Sequence, residues 1–115
     1  RCQLVPVEYA PAANTSGTGV AGDYVDVSAL RLLLISLQLA SAGTYVVGGH
    51  SVGGTVVYQF LDDIAELFSA AGIQRLLQRA QGLLLAQEHR DLAAAIGNLS
   101  GKPPRLPSAV FSFEG

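Results

Sequence analysis

Thr44–Phe60, TYVVGGHSVGGTVVYQF, is the stretch whose reading decides the fold. Thr44, Tyr45, Val46 and Val47 are β-branched or aromatic and read as a strand. Gly48–Gly54 packs glycines around a single serine, which reads as a tight turn. Val56, Val57, Phe60, Leu61 and Ile64 then recur at helical spacing and form one apolar face. Within the turn, Gly49-His50-Ser51-Val52-Gly53 fits the pattern G-x-S-x-G. The glycines on either side of Ser51 remove Cβ atoms where a sharp reversal leaves no room for them, and Gly54 lets the helix start lie close to the strand.

The strand–serine–helix order resembles the nucleophile elbow of α/β-hydrolases, above all lipases and esterases with a Gly-His-Ser-x-Gly-Gly core. The likeness covers residues 24–66 and extends to a later strand at 109–115. It implies an α/β fold with a small sheet built on a parallel strand–elbow–helix unit, helix-rich and incomplete relative to a full hydrolase. It also implies that Ser51 is an acyl-transfer nucleophile, with the Val52 N–H as an oxyanion donor and Gly49, Gly53 and Gly54 shaping the elbow. A serine hydroxyl needs a base, and the base needs an orienting carboxylate. His89 is the candidate base and Glu114 the candidate acid. In the family the acid precedes the histidine, whereas no histidine follows Glu114, so the family's order is not completed within these residues, and a histidine in that place comes from sequence outside them or from none. His50 lies beside the serine, where family members often carry a histidine that is not the base. The substrate implied is an ester or thioester with an apolar acyl part, and no cofactor is called for.

Outward from this stretch, the N-terminal half prepares it. Asp26 or Ser28 can cap a helix running to about Ala42, closed by Gly43. Leu30, Leu33, Leu34 and Leu37 repeat at helical spacing while Leu32, Ile35 and Leu39 widen the face, as expected of a helix held between a sheet and further cover. Before it, Gln3–Tyr9 alternates as an edge strand interrupted by Pro6, and 11–22 reads as a loop. After the serine, a helix is expected from Gly53 to Ala71 with Gly72 as its stop. A third is expected over Gln74–Ala86, its face made by Leu76, Leu77, Ala80, Leu83 and Leu84, and a fourth over Glu88–Ile96 closed by Gly97. Gly101–Pro107 is a stiff loop, and Ala109–Phe113 is a final strand. A helix–strand–turn–helix order is that of a parallel α/β sheet.

Composition limits the alternatives. With 50% apolar and 14% charged residues, the 115-residue chain can bury a core and form a single domain. A net charge of −2 with scattered Lys and Arg offers no footprint for nucleic acid. Residues 27–42 are apolar but too short and too polar for a membrane span. Cys2 is the sole cysteine, so no intrachain disulfide can form. The chain opens on Arg1 with no signal-like segment, as a trimmed chain or a piece of a longer protein would. The sequons at Asn14 and Asn98 lean weakly toward secretion.

Two other readings fit the same residues. Gly48–Thr55 overlays the phosphate-loop pattern with Gly54 in place of its lysine, leaving an anion site built on backbone N–H groups alone. A non-catalytic assembly or interaction subunit, including a homo-oligomer, fits the Ala, Leu and Val content and the run Leu83–Leu85, which cannot all face one core. The tyrosines and phenylalanines read as core. Asp62 and Asp63 diverge by about 100° on a helix and read as a solvated face, not a metal site.

Overall fold

A computed structural model of the chain describes residues 2–7, 21–83, 86–99, 102 and 104–113. Among the described residues, four helices and a two-stranded parallel sheet follow in the order α1 (Ala21–Ala40), β1 (Val46–His50), α2 (Val52–Glu66), α3 (Ala70–Gly82), α4 (Ala86–Gly97) and β2 (Ala109–Phe113). The result is a small, helix-rich α/β arrangement. Parallel strands cannot be joined by a tight hairpin, and here α2, α3 and α4 lie between the two strands in sequence.

The strands pair in register from Val46 with Ala109 to His50 with Phe113. The side chains of a strand alternate between faces. Val47 is buried and Val110 half-buried, whereas Val46, Phe111 and Phe113 on the alternate positions are exposed. One face of the sheet therefore carries α2, and the other is bare among the described residues. Tyr45 ties the entry of β1 to the approach of β2. Its hydroxyl donates to the Arg105 carbonyl at 2.6 Å, and its own carbonyl accepts the Ser108 N–H at 2.8 Å. Burial raises the Tyr45 pKa, while the charge of Arg105 pulls the other way, so the phenol stays a donor.

The core lies between α2 and its neighbours. Phe60, Leu33, Ile64, Leu76, Leu92, Val27 and Val57 are almost fully buried. Each contributes roughly 1.5–3 kcal/mol of apolar burial. α1 packs principally on α2 and α4, so helices rather than the sheet are its two covers. It also begins before the expected caps, at Ala21, which places Asp26 and Ser28 inside the helix.

The expected long second helix is divided. After Glu66 the N–H groups of Leu67, Phe68 and Ser69 bond three residues back, a tightened turn that ends α2. Ser69 then turns extended, and its hydroxyl accepts the Gly72 N–H at 3.0 Å, capping α3. Gly72 is thus not a stop. It is buried in the first turn of α3, where a Cβ would strike the Glu66 carbonyl, so it sets how closely α3 meets α2.

Other expectations shift. β1 runs through Gly48 and Gly49 to His50 instead of ending at Val47. Residues 2–7 take no regular structure, and Glu8, Tyr9 and 11–20 lie outside the described residues, as do Leu84 and Leu85. Tyr58, Phe68, Phe111 and Phe113 are exposed rather than core. Asp62 is solvated as expected, but Asp63 is completely buried.

Candidate functional site

Ser51 joins β1 to α2 with φ 59° and ψ −120°, and it is the one non-glycine residue with positive φ among the described residues. A backbone in that region costs an L-residue about 1–3 kcal/mol and persists only where its surroundings impose it. Here β2 imposes it. The Ser51 N–H donates to the Phe113 carbonyl at 2.7 Å, and the Ser51 carbonyl accepts the Gly54 N–H at 2.9 Å. A Cβ at Gly49 would fall on the Gly53 carbonyl, so this glycine lets the first turn of α2 fold back against the end of β1. A Cβ at Gly54 would meet the Ser112 hydroxyl, which places the helix start directly on β2. Gly53 differs from the expectation, because a Cβ there would meet nothing. Its backbone, not its missing side chain, fills the turn.

The Ser51 side chain is exposed and makes no capping bond to α2. A serine that only began a helix would accept, at its side-chain oxygen, a hydrogen bond from an N–H of the first turn. Val52 opens α2, so its N–H has no carbonyl one turn back inside the helix. The turn therefore combines a hydroxyl that is unbonded among the described residues with N–H groups at a helix start, a place that favours developing negative charge. Gly54, standing where a phosphate loop has lysine, is buried against Ser112.

The His50 side chain is exposed, and it makes no side-chain hydrogen bond to another described residue. His89 lies on α4, which packs chiefly on α1 and α3, while Ser51 follows a strand that packs on β2 and α2. No hydrogen bond joins the two. His89 is half-buried, and its Nδ1 is buried without a hydrogen-bond partner among the described residues. Glu88 beside it accepts at Oε1 from Arg31 Nε at 2.9 Å, tying α4 to α1. Glu114 lies outside the described residues. The structure thus assembles Ser51, Val52, Gly49 and Gly54 at one turn and does not link His89 to it. Sequence reasoning missed the Phe113 carbonyl and Ser112. The signal available was that Ala109–Phe113 matches the length of β1 and can run beside it to the serine.

A cleft of about 290 Å³ lies elsewhere, lined by Pro6, Val7, Leu34 and Ile35 with the Arg31–Glu88 pair. Among the described residues no cluster of His, Cys, Asp and Glu is placed to hold a metal ion, and no helix is long and apolar enough to cross a membrane. No protein-family model matches the chain, nor does any curated protein or solved structure.

Proposed function

We propose that this chain presents a serine nucleophile elbow for acyl transfer, acting on esters or thioesters with an apolar acyl group. The observation that carries the reading is the strained backbone of Ser51, whose exposed hydroxyl makes no capping bond to α2. Strain at a residue that does no capping is the pattern of a group held for chemistry. In this reading the Ser51 Oγ attacks the acyl carbon, its proton passes to a base, and the Val52 N–H donates to the oxyanion that forms. His89 and Glu114 are the base and acid candidates within the sequence. The relation to lipases and esterases belongs to this proposal and rests on the Gly-His-Ser-Val-Gly-Gly core. The test is release of p-nitrophenol from a short-chain p-nitrophenyl ester. Release that falls to background in Ser51→Ala supports the reading, and a comparable loss relative to the parent in a folded His89→Ala assigns the base. Equal rates in the parent and Ser51→Ala remove it.

A second reading, an assembly or interaction subunit, is favoured by the bare sheet face. Val46, Phe111 and Phe113 are 57%, 47% and 60% exposed on two strands whose outer edges are unpaired among the described residues. Such edges and apolar faces are places where proteins associate. Light scattering distinguishes the readings, since a stable oligomer that Phe113→Ser dissociates supports the subunit, and a monomer at all concentrations opposes a homo-oligomer.

A further inference from the structure

Away from the serine turn, the contact of α1, α2 and α3 encloses an uneven set of charges. Asp63 on α2 is fully buried, and its Oδ1 accepts from Arg79 Nη2 of α3 at 2.6 Å and from Gln59 Nε2 at 2.9 Å. Arg79 Nε lies 3.8 Å from Asp26 Oδ1 of α1. Asp26 and Asp63 thus share one guanidinium. Asp63 Oδ2 and Arg79 Nε are buried without a hydrogen-bond partner among the described residues. β1 and β2 bring no carboxylate or basic side chain to this cluster; their one titratable group, His50, is exposed.

An unpartnered carboxylate oxygen in a medium of low polarity is costly when charged. A proton on Oδ2 removes that charge and leaves Oδ1 free to keep both of its bonds. We propose that Asp26, Asp63 and Arg79 form an acid-strengthened clasp. In it Asp63 Oδ2 takes a proton from the medium as the pH falls, so that α3 is held to α1 and α2 more firmly in acid than at neutral pH. This is opposite to an ordinary ion pair, which acid breaks.

Desolvation supports it, raising the Asp63 pKa above the ordinary 3.8, with Arg79 and Gln59 opposing and Asp26 adding to the rise. The folded chain then binds a proton that the unfolded chain has released. Stability is gained as pH falls from above the raised value toward 3.8 and is lost as pH climbs back through that window. One proton changes the folding equilibrium constant by at most about tenfold per pH unit there.

The experiment is urea unfolding between about pH 7 and about pH 4 for the parent chain and for Asp63→Asn, together with carbon-detected NMR titration of the Asp63 carboxyl in the parent chain. The expected result is a stability gain on acidification in the parent relative to Asp63→Asn, and an Asp63 titration above the ordinary aspartate range. The same pH dependence in both chains overturns the clasp. So does an Asp63 titration at or below the ordinary range, and that measurement decides the matter by itself where Asp63→Asn does not fold.

Discussion

The two ends of α2 are built on opposite terms. At its start, Ser51 is exposed, strained and without a capping bond, beside a sheet face that carries bare aromatic rings. Three turns later, Phe60, Asp63 and Ile64 are sealed between α1 and α3. One helix thus spans a region where exposure and strain are retained and a region where burial is nearly complete. The sealed end anchors the helix, so its start can be held in a conformation that the local sequence would not choose alone.

The sharpest way to break this comparison is to empty the sealed end. Phe60→Ala is expected to cost about 3–5 kcal/mol, because a fully buried ring leaves a cavity. Urea unfolding followed by circular dichroism measures it, and a loss below about 1 kcal/mol shows that the core is not where stability resides. At the other end Gly49→Ala forces a methyl group onto the Gly53 carbonyl. The expected loss is about 1–3 kcal/mol, with Ser51 reactivity lost further than stability alone explains. Ser51→Gly has the smallest effect and the opposite sign. Removing the Cβ at positive φ relieves strain, so the variant is expected to be more stable by about 1 kcal/mol in the same unfolding assay. Ser51→Ala keeps the strain and gains nothing. A destabilised Ser51→Gly would mean that the side chain has a structural role.

These residues also show how far the sequence can be read. Ala109–Phe113 is found at its expected bounds because alternating, β-branched and aromatic residues leave few other options. The end of β1 was hidden by Gly48 and Gly49, which look like turn residues and are held in the strand by pairing with Phe111 and Ser112. The break between α2 and α3 was masked by apolar residues that run on through Leu67 and Phe68, although Ser69 is a sound capping residue. Asp63 shows the limit most clearly. It stands three residues after Phe60 and one before Ile64, on the buried side of α2, but its polarity suggested water. Only its partner Arg79, in the next helix, makes the burial intelligible. At the serine turn the residue types were legible, while the positive φ and the Phe113 carbonyl that holds it depend on a strand far along the chain.

Under the proposed function, the strain at the start of α2 holds a reactive serine. Treatment of the folded chain with a fluorophosphonate, read by intact mass and peptide mapping beside Ser51→Ala, tests it most directly. The expected result is a single adduct on Ser51 that is absent from Ser51→Ala. An unmodified folded chain, or an equal adduct in both proteins, would contradict it.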